Sequence, residues 1–381
     1  MRNKLCDQFG IEFPIFAFSH CRDVVAAVSR AGGMGVLGAL AFSPEQLEIE
    51  LAWIDEHVDG KPYGVDVVMP AKLAEGAADA TKAQLEAMIS QTHRDFIEAT
   101  LAKHGVPPLP ADAPRPESLL GWTPSGGHSH VDVALRHDIR LLVNALGPPP
   151  ADVVAQAHAR GVPVAALIGT PEQALKQVAA GVDIIVASGT EAGGHTGEIS
   201  TMVLTPQVVD AVAPVPVLAA GGIGSGRQMA AAMALGAAGV WTGSMWLTVK
   251  ESDLQPAVVQ RVLRATSRDT VRSRAMTGKP ARQLRTPWTE AWDGPDSPGC
   301  LPMPLQFMAT AEAYSRMYRA AEADPESAAA QLAGTPIGQI IGSLNAVRPA
   351  REVIFNMVEE YLETITRLST VLAETNGQAA E

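Results

Sequence analysis

The segment 182–197 (VDIIVASGTEAGGHTG) combines the residue types of this chain that are best suited to do chemistry. Its apolar beginning predicts a buried strand. Gly193 and Gly194 let the backbone approach a flat ligand closely, because glycine has no Cβ. His195 follows directly, and histidine is the side chain that titrates near neutral pH without special help. The segment therefore predicts acid–base chemistry at the end of a strand, the alternative being a histidine that only shapes its loop.

A second glycine-rich turn, residues 219–226 (AAGGIGSG), follows another apolar run. Successive backbone N–H groups in such a turn, close to the start of a helix, bind phosphate oxygens. Ser225 could add a hydroxyl donor and Arg227 a charge. The predicted phosphate-binding residues follow two successive strands: Gly221, Gly222, Gly224, Gly243 and Ser244. The alternative is that these glycines only allow tight turns.

The same turn contains the spaced glycines of a dinucleotide-binding motif, at positions 222, 224 and 226. That motif opens the first β-α-β unit of its fold and is followed by an acidic residue that binds a ribose. Here the turn lies late in the chain, and residues 227–250 contain no Asp or Glu. We therefore reject the dinucleotide-binding interpretation.

The composition excludes several classes of protein. The 381 residues are 47% hydrophobic and carry a formal net charge of −12, whereas nucleic acid or an anionic membrane would require a basic patch. Three cysteines without a Cys-x-x-Cys pair indicate no disulfide framework and no zinc site, so a cytoplasmic location is expected. We find no signal peptide and no apolar run long enough for a membrane span. We expect no metal at His128 and His130, because loop histidines are common.

Eight short apolar runs alternate with amphipathic segments. Several runs are continuous Val, Ile, Leu and Ala stretches, which is typical of parallel strands that are buried on both faces. The predicted strands are 13–18, 35–39, 63–68, 140–145, 163–168, 183–187, 216–220 and 239–242. The predicted helices between them are 22–31, 43–57, 150–160, 170–180, 206–212 and 225–235. Eight β-α units predict an α/β protein with a (β/α)8 TIM barrel, the alternative being an open doubly wound sheet.

Two regions lie outside this alternation, an insertion after strand 3 and a C-terminal extension. The barrel is predicted over residues 1–248 with the insertion at 70–133, which we interpret as an excursion at the catalytic face. Residues 249–381 are predicted to form a mostly helical C-terminal subdomain packed on the barrel. The further elements predicted in these regions are a helical stretch at 74–104, a proline-rich loop at 106–116 and long helices at 309–321 and 349–374.

These motifs, in their order, resemble the nitronate monooxygenase family, formerly called 2-nitropropane dioxygenase. The resemblance rests on residues 191–197 (EAGGHTG), 221–223 (GGI), 29–35 (SRAGGMG) and 277–282 (TGKPAR). It covers about residues 10–350 apart from the insertion. It implies an FMN-dependent (β/α)8 barrel with the flavin at the carboxyl ends of the strands. Because the group also includes flavin-dependent enoyl-acyl-carrier-protein reductases and NADH:quinone reductases, the resemblance indicates the cofactor better than the substrate.

The resemblance also implies roles for individual residues beside the flavin ring. Ala17 and Phe18, at the end of the first strand, would touch the ring. Asp66 would lie beside it where the family usually has Asn, and Ser188 stands where many members have Gln. An ionised Asp66 would disfavour the anionic reduced flavin unless this carboxylate were paired or protonated.

Glycines and one histidine complete the site that the resemblance implies. His195 matches the family's histidine, which handles the proton of the substrate or stabilises its negative charge. The glycines that would approach the ring are Gly169, Gly193 and Gly194. The residues that would hold the phosphate are Gly221, Gly222, Gly243 and Ser244.

Several other side chains allow two interpretations. His20 also follows a strand, so it either lines the same pocket or faces away from it. Lys279 and Arg282 either clamp an anion or belong to a solvated turn, and Glu191 is expected to accept hydrogen bonds within its own loop. Packing between the barrel and its helices is expected for Trp241, Met245 and Trp246.

The first functional hypothesis is an FMN-dependent oxidase that converts alkyl nitronates, such as propionate 3-nitronate, and O2 into a carbonyl compound and nitrite. The alternative is an NADH- or NADPH-dependent flavin reductase that acts on a quinone, an enone or an acyl thioester. A third hypothesis is a non-catalytic barrel that binds a phosphorylated ligand. The expected partners are a small-molecule substrate and, as redox partner, O2 or a pyridine nucleotide. Neither nucleic acid nor a membrane is expected as a partner, and the sequence leaves open whether the chain forms a homo-oligomer.

Overall fold

The barrel strands are parallel and close into a complete ring. The computed structural model describes residues 1–70, 72–77, 80–113 and 124–378. The barrel strands are β1 (Ile15–Ser19), β2 (Met34–Gly38), β3 (Tyr63–Val68), β4 (Leu141–Ala145), β5 (Val164–Ile168), β6 (Ile184–Ser188), β8 (Val217–Ala220) and β9 (Gly239–Thr242). Each strand pairs with the next in this order, and β9 pairs back to β1. The predicted (β/α)8 barrel is confirmed, and the open-sheet alternative is wrong.

Both faces of the barrel strands are buried, which explains their continuous apolar runs. Alternate residues such as Phe16, Val143 and Trp241 fill the barrel interior. Residues between them, such as Val65 and Ile185, pack against the surrounding helices. At the amino end of the strands, α1 (Lys4–Phe9) covers the interior. The carboxyl ends of the strands form the mouth, where barrels of this kind carry their chemistry.

Most helices around the barrel begin and end close to their predicted positions. They are α2 (Arg22–Arg30), α3 (Pro44–His57), α7 (Ala151–Ala159), α8 (Pro171–Ala179), α9 (Thr201–Val212) and α10 (Gly226–Ala234). The Ser43 side chain accepts a hydrogen bond from Gln46 N in a capping box and so starts α3. α9 begins five residues before the predicted position 206, because its proline lies inside the helix and not in its first turn.

The insertion contains α4 (Lys82–Ala87), α5 (Gln91–Lys103) and α6 (Pro124–Ala134). The single helical stretch predicted at 74–104 is therefore two helices. A capping box between Thr81 and Gln84 starts the first, and Ser90 is the N-cap of the second. Residues 114–116, at the end of the predicted loop 106–116, lie outside the described residues.

The C-terminal region combines helices with strands that the sequence did not indicate. Its helices are α11 (Pro256–Arg264), α12 (Pro287–Asp293), α13 (Leu305–Ala323) and α14 (Ala350–Gln378). The strands β10 (Thr270–Ser273) and β11 (Ala281–Leu284) form an antiparallel sheet with β7 (Gly194–His195), in the order β10-β11-β7. Within the described ranges, no helix is both long enough and apolar enough to cross a membrane.

The insertion and the C-terminal region pack against each other. Arg316 of α13 is buried and donates from Nη1 to Glu98 Oε1 of α5 at 2.7 Å. Its Nε atom donates to Pro107 O at 2.9 Å. The two regions outside the barrel alternation are therefore joined through a buried arginine.

Candidate active site

The short strand β7, which lies outside the barrel, positions His195. It pairs antiparallel with β11, with His195 opposite Ala281. The next residue of β11, Arg282, is buried and donates from Nε to Thr190 O at 2.8 Å and from Nη1 to Thr270 Oγ1 at 3.0 Å. Arg282 therefore ties the loop before β7 to β10 and does not belong to a solvated turn.

His195 is half-buried, and its Nε2 atom is engaged. This atom lies 2.8 Å from Thr277 Oγ1, and the same hydroxyl lies 3.3 Å from Lys279 O. Burial lowers the pKa of His195 to about 4, and the positive charge of Lys279 adds to this effect. At neutral pH the residue is thus a neutral imidazole that Thr277 orients.

The loop that carries His195 contacts the turn after β8. Glu191 accepts hydrogen bonds from the N–H and the hydroxyl of Thr201, each at 2.9 Å, and so closes the loop as expected. The Thr201 hydroxyl also lies 2.9 Å from Gly221 O. Gly221 has a φ of +97°, and a Cβ there would lie 3.1 Å from Ala192 N, so this approach requires glycine. The histidine loop and the predicted phosphate turn are therefore neighbours.

Four backbone N–H groups at the ends of β8 and β9 are open to an anion. Those of Gly222, Ile223, Gly243 and Ser244 donate no hydrogen bond to any residue that the structure describes. Ser244 Oγ accepts from Gly338 N at 2.7 Å, which leaves its own proton to donate. A Cβ at Gly243 would meet nothing within 4 Å. A phosphate fits this amide cradle, since it needs several donors and open space.

Three neighbouring residues of the same turn serve the helix α10 instead. Gly224 N donates to Gln228 Oε1 at 2.9 Å, so its amide is already used. Ser225 caps the helix by accepting from Gln228 N. Arg227 pairs with Glu360 of α14 at 2.5 Å. The predicted contributions of Gly224, Ser225 and Arg227 to phosphate binding are therefore replaced by bonds within the protein.

Phe18 and Trp241 lie together at the floor of the mouth. Their rings stack with centroids 6.2 Å apart, and Phe18 is half-buried. Trp241 belongs to the barrel interior, so the prediction that it packs between the barrel and the helices is wrong. Met245 and Trp246 do pack between the barrel and the helices, as predicted. The side chain of Ala17 points toward the helices. Only the backbone of Ala17 could therefore contact a ligand at the mouth.

Asp66 is a buried acid without a partner at its Oδ1 atom. It lies on β3, where Val65 and Val67 pack outward, so Asp66 faces the barrel interior. Burial raises its pKa well above the ordinary value for aspartate and so favours the neutral, protonated carboxyl group. Ser188 is also buried, at the carboxyl end of β6.

His20 lies at the mouth, at the ends of β1 and β2. Its Nδ1 atom is 3.0 Å from Gly38 O, and its ring meets Phe18 edge-on with centroids 5.1 Å apart. Of the two interpretations of His20, the structure favours the one in which it lines the same pocket as Phe18.

Two further predicted residues have different surroundings from those expected. Gly169 packs on a neighbouring loop, because a Cβ there would lie 2.8 Å from Gly197 Cα. On the side where its Cβ would lie, Gly169 therefore contacts the loop at Gly197 and not an open space. Lys279 is half-buried, and burial together with the charge of Lys72 lowers its pKa. Lys279 thus brings a positive charge close to His195.

The histidines of the insertion make contacts of their own. His128 Nε2 lies 3.0 Å from Asp152 Oδ2, and His130 Nε2 lies 3.0 Å from Phe42 O. The described part of the chain holds no group of three or more His, Cys, Asp or Glu residues that could bind a metal ion.

Sequence reasoning missed two residues that shape the site, Thr277 and Gly338. Thr277 begins the 277–282 motif, so its position in a recognised motif could have identified it. Gly338 lies in a segment without any motif, and only its contact with the amide cradle reveals it.

Comparison with known proteins identifies the group to which this arrangement belongs. The family model described as nitronate monooxygenase matches residues 2–360. A Mycobacterium tuberculosis protein, named provisionally as a monooxygenase, is 55% identical over 97% of this chain and 98% of its own length. The nitroalkane oxidase of Streptomyces ansochromogenes has a TM-score of 0.77 at 26% identity and covers 96% of this chain and 100% of its own. FabK from Thermotoga maritima has a TM-score of 0.71 at 26% identity, over 97% and 99% of the two chains.

The family match covers most of the chain, including the barrel and the sheet that positions His195. The protein is therefore an oxidoreductase of this type, with a small-molecule substrate. It belongs to the nitronate monooxygenase family.

Proposed function

We propose that this protein is an FMN-dependent nitronate monooxygenase, which converts an alkyl nitronate and O2 into a carbonyl compound and nitrite. The contact between the His195 loop and the turn after β8 carries the proposal, because it joins the loop that holds a neutral histidine to the turn that holds open amides. Membership of the family and the likeness to a nitroalkane oxidase support it.

The amide cradle and the mouth are the parts of the chain that would hold FMN. The N–H groups of Gly222, Ile223, Gly243 and Ser244 would bind its phosphate, and the ring would lie at the mouth near Phe18. When bound, FMN supplies the redox chemistry, by accepting electrons from the substrate and passing them to O2.

The protein side chains supply orientation and charge for a substrate anion. His195, oriented by Thr277, would lie beside the nitronate, and Lys279 adds a positive charge nearby. Asp66 adds no negative charge when protonated, so it does not disfavour the binding of an anion at the mouth. The chain thus favours a negatively charged substrate beside His195.

Anaerobic stopped-flow absorbance tests this function. The purified protein, loaded with FMN, is mixed in parallel with propionate 3-nitronate and with NADH or NADPH, and the visible band of oxidised flavin is followed. Fast loss of this band with the nitronate alone is expected, and free FMN with the same reagents is the control. A protein that cannot be reconstituted with FMN, or one that reacts fast only with a pyridine nucleotide, would contradict the proposal. The second result would favour a flavin reductase.

A further inference from the structure

Two arginines lie opposite each other in the small sheet that positions His195. In the register of β10 and β11, Arg272 is opposite Arg282, so both side chains project from the same face of the sheet. Arg282 is buried, and Arg272 is half-buried. Like charges directly opposite each other destabilise a sheet. This arginine pair therefore requires partners that offset its repulsion.

The partners of the arginine pair are backbone carbonyl groups at the two ends of the loop that carries His195. Arg282 Nε donates to Thr190 O at 2.8 Å, before the histidine in the chain. Arg272 Nη2 donates to Thr196 O at 3.4 Å, directly after the histidine. Carbonyl oxygens carry partial negative charge, so these bonds stabilise the two cations. The arginine pair thus holds the loop on both sides of His195.

The negative charges near the arginine pair also come from this part of the chain. Burial and then the charge of Arg272 lower the pKa of Arg282, and the Glu191 carboxylate of the loop opposes both effects. Glu198, just after the loop, has its Oε1 atom 3.7 Å from Arg272 Nη1. The loop and the residues beside it therefore supply both the acceptor atoms and the charges that stabilise the pair.

Arg282 is joined to the loop through its backbone as well. It lies opposite Gly194 in the pairing of β11 with β7, next to the pair of Ala281 and His195. Its Nη1 atom donates to Thr270 Oγ1 at 3.0 Å, so the guanidinium bridges the loop and β10. A guanidinium has five donors in fixed directions, which the ammonium group of a lysine does not have. A lysine at position 282 would therefore keep the charge but lose one of the two side-chain bonds.

We propose that Arg272 and Arg282 are positioning residues, which hold His195 where it acts on the substrate anion by fixing both ends of its loop. The proposal rests on the proposed function and adds to it the residues that determine where the imidazole lies. Thr277 orients the ring through its hydroxyl, whereas the arginine pair fixes the backbone from which the ring projects. Neither arginine needs to touch the substrate.

A double-mutant cycle with His195 tests the proposal. Arg282→Met keeps much of the apolar stem of arginine but removes the bonds to the loop and to β10. At saturating FMN, we expect it to lower kcat/KM for propionate 3-nitronate about tenfold when His195 is present. In the His195→Ala background the same substitution should change kcat/KM less than about twofold, because no imidazole remains to be positioned. Arg272→Met should show the same dependence with a smaller loss, since its bond to the loop is longer.

A second measurement is independent of turnover. The histidine ring signals of the FMN-loaded protein are titrated by NMR, and His195→Ala identifies the signal of His195. In the intact loop, burial lowers the pKa of His195 to about 4. Arg282→Met should raise this pKa toward the ordinary histidine value, because a released loop is less desolvated. Arg282→Lys should raise it less, since lysine can still donate to Thr190 O.

Arg316→Met is the matched control. Arg316 is also buried and also donates to a backbone carbonyl, that of Pro107, but it joins the insertion to the C-terminal region and not to the His195 loop. This variant should lower the free energy of unfolding and leave both kcat/KM and the pKa of His195 unchanged. Equal changes in Arg282→Met and Arg316→Met would show that loss of any buried arginine has this effect, and would overturn the proposal.

The outcomes distinguish failure of this proposal from failure of the proposed function. Equal losses from Arg282→Met with and without His195, or an unchanged kcat/KM in both arginine variants, would overturn the positioning role alone. A wild type that does not oxidise the nitronate would contradict the proposed function. The NMR titration would then still test the arginine pair, because an unchanged pKa of His195 in Arg282→Met would show that the pair does not fix the loop.

Discussion

Gly193 and Gly338 pack backbone to backbone, although one lies in the loop after β6 and the other in the C-terminal region. A Cβ on Gly193 would lie 2.8 Å from Gly338 N, and a Cβ on Gly338 would lie 3.0 Å from Gly193 N. Gly338 N also donates to Ser244 Oγ, and Gln339 N donates to Glu191 O at 2.9 Å. The C-terminal region therefore holds the His195 loop and the amide cradle together.

Gly338→Ala should weaken flavin binding and nitronate oxidation together, although residue 338 lies outside the barrel. The added methyl group must displace the backbone at Glu191 O, only 2.6 Å away, and this would move both the loop and the cradle. We expect a loss of about tenfold in each quantity, which corresponds to about 1.4 kcal/mol. The measurements are the Kd for FMN from absorbance titration and kcat/KM with a nitronate. Gly334→Ala is the control, since its Cβ would come close only to the Thr286 side chain, at 3.0 Å, with Leu284 O at an ordinary contact distance of 3.6 Å. Equal losses in both variants would contradict the coupling.

Gly222→Asp should abolish FMN binding, because a carboxylate in the amide cradle repels the phosphate. Gly222 has a φ of +69°, so part of any effect would come from backbone strain. Gly161→Asp is the matched control: its φ is +70°, and a Cβ there meets nothing within 4 Å. Flavin absorbance of the purified variants is the measurement. We expect the Gly222→Asp variant to be colourless and the Gly161→Asp variant to be yellow. Equal FMN content in the two variants would contradict the binding of the FMN phosphate by the amide cradle.

The barrel was predictable because each of its strands is buried on both faces. Such strands need continuous apolar runs, and the two strands β3 and β9 have the predicted boundaries. The strands β7, β10 and β11 were not predictable in the same way. They are short and half-polar, and β7 contains only Gly194 and His195, so a window of sequence shows no alternation there.

The site was predicted where local sequence determines it, and less well where distant contacts do. The open amides of Gly222 and Gly243 follow from glycine at strand ends. The amide of Gly224 was expected to be open as well, but Gln228, four residues later, occupies it. Gly338 reaches the cradle from far along the chain, and a single sequence does not show that contact. The assignment of His195 as catalytic stays a prediction, as does the flavin-binding role of the glycines.

Thr277→Val should impair the use of the nitronate without releasing the flavin. Valine has nearly the shape of threonine but removes the hydroxyl that lies 2.8 Å from His195 Nε2, so the imidazole loses its orientation. A lost hydrogen bond of about 1 kcal/mol predicts a decrease of roughly fivefold to tenfold in kcat/KM. Thr277→Ser keeps the hydroxyl and should stay close to the wild type. If the serine and valine variants lose activity equally, Thr277 acts through packing and not through its hydroxyl.

The substitution Asp66→Asn should make the free energy of unfolding less sensitive to rising pH. The pKa of Asp66 is higher in the folded than in the unfolded chain, so between these two values the folded protein binds more protons. The free energy of unfolding therefore falls as the pH rises through this range, by at most about 1.4 kcal/mol per pH unit from this group. Asparagine has no such proton, so the variant should lack this contribution.

The measurement is the free energy of unfolding in urea, taken at several values between about pH 4 and pH 8. The stability of Asp66→Asn relative to the wild type should increase as the pH rises from the pKa of the unfolded chain toward the raised pKa of the folded protein. Asp112→Asn, an exposed aspartate in the insertion, is the matched control and should show a constant difference. A wild type and an Asp66→Asn variant with parallel pH profiles would show that the carboxyl group ionises in the folded protein. The neutral acid on the inner face of β3 would then have to be replaced by a charged one.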